Sequence, residues 1–559
     1  MRKISAARKY IFIALMAVVL MSAGLVGTKI SDNYFEISKN LEIFTTLYRE
    51  LNIYYVDETN PGELMKTGID AMLKSLDPYT NYIPESDMED YRFMTTGQYG
   101  GIGALIRSVD NKVYISEPYE GFPAQKNGLM AGDRVLKIDG IDVTGKDQEE
   151  ISKVLKGQSG TKVVIVVQRH GETKPTTFEV VREEIKIPDV PYFGMLNDEV
   201  GYIKLTSFTH TAGKDVKDAF LKLKKENNMK KVVLDLRGNG GGLLREAVNI
   251  VNMFVPKGEE VVSTKGKIKE WDKVHKAINE PVDTEIPLIV LVDESSASAS
   301  EIVAGCVQDL DRGVVIGRNT FGKGLVQQTR ELYYNTKLKV TVAKYYVPSG
   351  RCIQRLDYSH KELDGSVAEF PDSLINHFTT KAGRKVSDGR GIEPDILVID
   401  EKLHKILLSL LDKQVFFKFA NDYRLKHPTI APATEFTLTD QEYADFTNFV
   451  LKQDVSYTTS TEKAFEKLLE TAKDEEYFEG ASGEFEALKS KIKPYHASDM
   501  ERFRQDIQMV LENEIVSRYY YQTGRIQATL ARDRSIESAL EVFNNGTYRD
   551  ILSVNYTGK

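Results

Sequence analysis

Three short stretches carry residue types that can do chemistry, and each follows an apolar run that reads as a strand. Gly317-Arg318-Asn319-Thr320-Phe321-Gly322-Lys323 has the GxxxxGK spacing of a phosphate-binding loop. Such a loop needs Ser or Thr next, to hold magnesium, and then a helix N-terminus at the phosphates. Gly324 stands there instead, and Leu325-Val326-Gln327-Gln328-Thr329 reads as a strand, so the nucleotide reading fails on residue type. Gly238-Asn239-Gly240-Gly241-Gly242 lies between a strand and a helix, but Leu243 replaces the glycine a dinucleotide fingerprint requires. What remains is a tight turn of backbone N–H groups suited to an anion, or to an oxyanion formed during reaction. The third stretch, Ser295-Ser296-Ala297-Ser298-Ala299-Ser300-Glu301, opens a helix. Serine is a favoured helix N-cap, so capping and nucleophilic chemistry are both open readings. No GxSxG elbow is present and no histidine is close in sequence, so a Ser-His-Asp triad has no local support.

The elements that must position these stretches follow from periodicity. From about Val200 to Asp400, apolar strands (231–236, 287–292 and 314–317) alternate with helices over 243–254 and 298–310. Nearly continuous apolar strands with helices between them imply a sheet covered on both faces. From about Tyr99 to Glu184 the pattern is one of short alternating strands separated by turn signals such as Asp139-Gly140 and Ser159-Gly160. Residues 31–95 read as helical, with Leu41, Phe44, Leu47, Tyr48, Leu51 and Tyr55 on one face, until Asp77-Pro78 breaks the pattern. After Glu401 the chain is helical again, with Ile406, Leu407, Leu410, Leu411, Val415 and Phe419 on one stripe. The stretch 356–390 reads as an inserted surface loop.

At 559 residues the chain is too long for one core. A net charge of −8 argues against a nucleic-acid partner. Two cysteines and eight histidines form no CxxC or HExxH pattern, so no metal is expected, and Cys306 and Cys352 read as free thiols. Arg2, Lys3, Arg8 and Lys9 precede an uncharged stretch from Ile11 to Gly27, the layout of an export signal or a membrane anchor. The expected location is therefore the cell envelope: the periplasm, either soluble or anchored to the inner membrane.

Several ordered pieces together resemble the C-terminal processing peptidases, also called tail-specific proteases. They are Leu76-Asp77-Pro78, Gly100-Gly101-Ile102-Gly103, Gly128 to Asp133, Asp235-Leu236-Arg237-Gly238-Asn239, the serine run, Phe321-Gly322-Lys323-Gly324 and Gly391-Ile392-Glu393-Pro394-Asp395. The resemblance implies that Ser298 is the nucleophile, Lys323 the general base and Gln327 the residue that positions the lysine. It implies an oxyanion hole from the N–H groups of Ala299 and Gly241. It also implies a PDZ domain whose Gly100, Gly101, Ile102 and Gly103 loop captures a chain end. The relatives' RGxxGT stretch reads Lys156-Gly157-Gln158-Ser159-Gly160-Thr161 here, so a regulatory arginine is not carried over. The chemistry asks for the same residue types. A serine hydroxyl needs a neighbour to remove its proton. A lysine serves near neutral pH only if its pKa falls about 3 pH units below 10.4, at roughly 4 kcal/mol.

The expected architecture is multidomain α+β. A signal or anchor occupies 1–30, a helical region 31–95, a PDZ-like β-rich domain 96–185, an α/β serine protease core 186–400 and a helical extension 401–559. The expected function is a serine endopeptidase with a Ser-Lys dyad, no cofactor, and substrates with apolar C-terminal tails, with an adaptor protein or a second copy as further partners. Two rivals stand beside it: a non-catalytic scaffold that binds C-termini, and a glycan hydrolase using Asp235 and Asp293 as its carboxylate pair.

Overall fold

The computed structural model describes residues 34–361, 366–399, 404–492 and 496–553. The basic start and the apolar stretch from Ile11 to Gly27 lie outside the described residues. The chain divides into one unit through Tyr82 and a second from Ile83 onward.

In the first unit a helix over residues 34–54 is followed by the helix Pro61–Lys74, capped by the Asn60 side chain on the Glu63 N–H. Asp77 then closes a turn by accepting from the Tyr79 and Thr80 N–H groups, both at 2.8 Å. Of the expected apolar face, Leu41, Phe44, Leu47 and Leu51 lie on the first helix and Tyr55 just past its end, and all are exposed.

The core of the second unit is a six-stranded sheet. Its order is Tyr192–Met195, Val200–Lys204, Lys231–Asp235, Leu288–Val292, Val314–Gly317 and Ile396–Leu397, parallel except for the antiparallel first pair. Side chains alternate between its faces. Val232, Leu234, Leu288, Val290 and Val292 join a core completed by the helices Ala212–Glu226, Leu244–Val251 and Ala299–Asp309. Val233, Ile289, Leu291, Val314 and Ile316 join a second core with Ile536, Ala539, Val542 and Ile551. Those partners come from the helices Arg534–Asn544 and Thr547–Leu552, so the far end of the helical extension supplies one whole layer of the six-stranded sheet. Sequence periodicity reveals the amphipathic helices but not which face they cover.

The PDZ-like domain has strand order Ala104–Val109, Lys112–Pro118, Arg134–Ile138, Lys162–Gln168, Thr176–Val181 around its own core. The helix Gln148–Leu155 begins with a capping box between Asp147 and Glu150 and contacts the edge strand Ala104–Val109. The stretch 356–390 is more structured than a surface loop. It folds as two hairpins, and Arg384 near its end ion-pairs with Asp311 and Asp395 of the core. Just before it, Arg351 and Asp309 form an ion pair with both side chains at 0% exposure.

Cys306 and Cys352 are free thiols, and burial pushes both above the usual thiol range. In native buffer a thiol reagent such as DTNB is expected to leave Cys306 unreacted. Denaturant should then expose two thiols per chain, and immediate native titration of both would contradict this packing.

Candidate active site

The three stretches meet because their strands are neighbours. Lys231–Asp235, Leu288–Val292 and Val314–Gly317 run parallel, so the segments that follow them emerge at the same sheet edge. Ligands of such sheets bind at the carboxyl ends of the strands.

Ser298 stands at the N-cap of the helix Ala299–Asp309 with φ 56° and ψ −111°. For a residue with a side chain this is a strained conformation, costing about 1–3 kcal/mol, and it persists only where neighbours enforce it. Here the Ser298 N–H donates to Glu301 Oε2 at 2.7 Å, and the Ser298 carbonyl accepts from Ile302 N at 3.0 Å. The Tyr345 hydroxyl lies 3.0 Å from the same carbonyl. Ser298 itself is half-buried, between the buried Ala297 and Ala299.

Glu301 is the hub of the site. It is fully buried, and its Oε2 also accepts the Lys323 N–H at 2.9 Å. Oε1 takes the Thr320 hydroxyl at 2.6 Å and the Gly322 N–H at 2.7 Å. One carboxylate therefore ties the serine turn to the lysine turn. Burial raises its pKa, opposed by the hydrogen bonds from Thr320, Lys323, Ser298 and Gly322. Tyr345 makes a second tie, its one hydroxyl proton shared between the Ser298 and Lys323 carbonyls. The lysine turn is held from behind as well. Thr320 Oγ1 accepts the Ile392 N–H at 2.7 Å, and a Cβ on Gly322 or Gly324 would stand 2.4 Å or 2.8 Å from residues 354–355. The two glycines are there for that close approach.

Gln327 lies on the strand Leu325–Glu331, where its Nε2 donates to Thr341 Oγ1 at 3.2 Å. A register shift between Val326 and Gln327 interrupts the simple alternation expected to set Gln327 beside Lys323. Ala299, at the first turn of its helix, presents its amide beside Ser298. Gly241 packs directly on Ser298, since a Cβ there would lie 2.8 Å from the Ser298 Cβ and 2.9 Å from the Ala299 amide nitrogen. Its own N–H, however, donates to Asn239 Oδ1 at 2.9 Å, so in this arrangement it is committed inside the turn. The Asn239 carbonyl also receives the Ala297 N–H at 3.0 Å and the Ser300 hydroxyl at 2.9 Å, which welds the glycine turn to the serine turn.

The carboxylate pair of the glycan reading is otherwise engaged. Asp235 is fully buried. Burial alone would raise its pKa, but Arg237 and Lys204 hold it well below the usual carboxylate range. Asp293 accepts from the N–H groups of Gly238, Ser295 and Ser296, each at 3.0 Å.

In the PDZ-like domain, Gly100 and Gly101 pair with Glu184 and Glu183 in a short ribbon. The carbonyls of Ile102 and Gly103 accept from Ala124 and Tyr119 at 2.7 Å and 2.9 Å. The four residues lead into Ala104–Val109, which among the described residues pairs on one side only.

The sequence reading does not single out Glu301, Thr320 or Tyr345 as parts of the site. Ser298-x-x-Glu301 is a capping-box spacing and is the signal that marks Glu301. Tyr345 sits on a distant strand and carries no local signal.

Residues 199–359 match the model of peptidase family S41, residues 114–169 that of a PDZ domain, and residues 406–543 that of a probable PDZ-protease C-terminal helical domain. A carboxy-terminal-processing protease of Bartonella bacilliformis is 36% identical over 353 residues, covering 62% of this chain and 80% of the relative. The chain belongs to peptidase family S41. A probable CtpA-like serine protease of Staphylococcus aureus is 36% identical over 345 residues, covering 61% of this chain and 68% of that one. A photosystem II D1 C-terminal processing protease of known structure is 27% identical, covering 64% of this chain and 92% of that one, with a TM-score of 0.35. This S41 member is accordingly a serine-type peptidase of the C-terminal processing kind, with a PDZ domain and a helical C-terminal region.

Proposed function

We propose that this S41 member is an endopeptidase of the cell envelope that captures the C-terminal tails of its substrates and cleaves through an acyl-enzyme on Ser298, with Lys323 as base. The observation that carries this reading is the shared Glu301 carboxylate, which accepts the backbone N–H of both residues. A helix cap alone has no use for a link to a distant lysine turn.

In acylation, neutral Lys323 takes the proton of the Ser298 hydroxyl as the oxygen attacks the scissile carbonyl carbon. The resulting ammonium gives that proton to the leaving amine as the C–N bond breaks, which leaves an ester on Ser298. Lys323 then takes a proton from water. The water oxygen adds to the ester carbon, and the proton returns to the Ser298 oxygen as the ester bond breaks. The tetrahedral oxyanion is met by the Ala299 N–H and by the glycine turn. For Gly241 to serve, its peptide must turn away from Asn239, so the turn described above is a resting form. Gln327, whose Nε2 donates to Thr341, lies on the strand that follows the lysine turn.

The substrate tail adds as a strand to the open edge of Ala104–Val109, beside the helix Gln148–Leu155, with its carboxylate at Gly100 to Gly103. The basic residues ahead of the apolar stretch Ile11 to Gly27 support export. Among the described residues no helix is long and apolar enough to cross a membrane.

The test is cleavage of an unfolded reporter with an apolar tail against the same reporter with a charged tail, by wild type and by Ser298→Ala. Wild type is expected to cleave the apolar-tailed reporter about tenfold faster or more, the worth of one buried apolar side chain. Ser298→Ala should leave both reporters intact. Equal rates on both tails would overturn the tail reading, and cleavage by Ser298→Ala would overturn the nucleophile.

A further inference from the structure

The glycine turn beside Ser298 is anchored from a distant part of the chain. Arg237, immediately before Gly238, is gripped by two carboxylates. Its Nε and Nη2 donate to Asp235 at 3.0 Å and 2.7 Å. On its other side Nη1 donates to Asp533 Oδ1 at 2.9 Å, and Nη2 lies 2.7 Å from Asp533 Oδ2. The pair with Asp533 is two-pronged and only 16–20% exposed, the geometry in which an arginine fixes direction as well as charge. Lys204 completes the cluster by donating to the Arg237 carbonyl at 2.7 Å.

Two residues beyond Arg237 is Asn239, whose carbonyl holds Ala297 and Ser300 on either side of Ser298. A displacement of Arg237 therefore reaches the nucleophile's flanks through one short, hydrogen-bonded turn. Asp533 also has a second role. Its Oδ1 caps the helix Arg534–Asn544 by accepting the Ser535 and Ile536 N–H groups at 2.9 Å and 3.2 Å.

We propose that Asp533 is a positioning residue for the peptidase reaction: by holding Arg237 it fixes the base of the glycine turn, the frame about which the Gly241 peptide turns to serve the oxyanion at Ser298. The inference rests on the reading of Ser298 as nucleophile. Its distinctive consequence is kinetic. The turn acts on charge that develops in the transition state, so loosening it lowers kcat and leaves substrate binding at the PDZ domain intact.

Asp533→Asn separates the two roles, since asparagine caps a helix as well as aspartate does but has no charge for Arg237. In the full-length protein this variant is expected to lower kcat about tenfold to a hundredfold, with KM within about twofold of wild type and the native fold retained at a modestly lowered Tm. A peptidyl boronic acid, whose tetrahedral adduct on serine needs the same turn, should lose affinity by the same factor. Asp533→Glu, which keeps the charge, should recover part of the loss. An unchanged kcat would overturn the proposal. So would a fall in kcat that comes with undiminished boronate affinity, since that marks a purely structural role. Ser298→Ala is run alongside: if it cleaves, the nucleophile reading fails first, and that failure is visible separately from the Asp533 result.

Discussion

Lys323→Ala is expected to abolish turnover, lowering kcat by about 10³–10⁶-fold, while the protein stays folded and still binds apolar tails. The lysine turn is held by backbone groups: the Lys323 N–H on Glu301, the Lys323 carbonyl under Tyr345, and the flanking glycines against residues 354–355. None of these needs the side chain, so its removal takes away the proposed base and leaves the turn. Lys323→Arg should be as inactive, because a guanidinium does not give up its proton at any working pH. Single-turnover cleavage with a matched tail-binding measurement checks this. Substantial turnover by either variant would remove Lys323 from the base role.

Glu301→Gln is expected to lower kcat by about a hundredfold and to destabilise the protein by about 2–4 kcal/mol. The carboxylate accepts four donors, two on each oxygen, and a glutamine must turn its NH₂ toward one pair of them. Whichever way it turns, either the Ser298 and Lys323 amides or the Thr320 hydroxyl and Gly322 amide face a donor. The pH dependence of stability supplies a second readout. Burial raises the Glu301 pKa in the folded state above its ordinary 4.5. Such a group favours the folded state at low pH, and that contribution is lost as pH rises through the raised value. The variant should therefore lack the decline in stability that wild type shows above pH 4.5. Denaturant titrations from about pH 4 to about pH 7, beside activity, test both parts.

Much of the fold was legible because the apolar strands are nearly continuous. The runs 231–236, 287–292 and 314–317 have no polar face, and only a sheet covered on both sides has a place for them. The reading of Ser298 and Lys323 as the site came from the ordered motifs. What stayed hidden was set by contacts between distant residues. The Gly241 amide turns to Asn239, a choice that a turn made almost wholly of glycine leaves open. Gln327 sits after a register shift that no local pattern announces. The ties of Glu301 to the lysine turn and of Asp533 to Arg237 span 21 and 296 positions, beyond the reach of any periodicity. The inserted stretch looked like a loop because its polar residues are spent on ion pairs such as Arg384 with Asp311 and Asp395.

The layer that Arg534–Asn544 and Thr547–Leu552 add to the protease sheet has a consequence for biosynthesis. During translation the strands and Ser298 emerge long before the helices that cover Val233, Ile289 and Ile316. Until those helices arrive, one apolar face of the sheet stays open and Arg237 lacks Asp533. A nascent chain thus carries Ser298 and Lys323 before the packing that supports their turns is complete, and the finished sheet waits on the helical region.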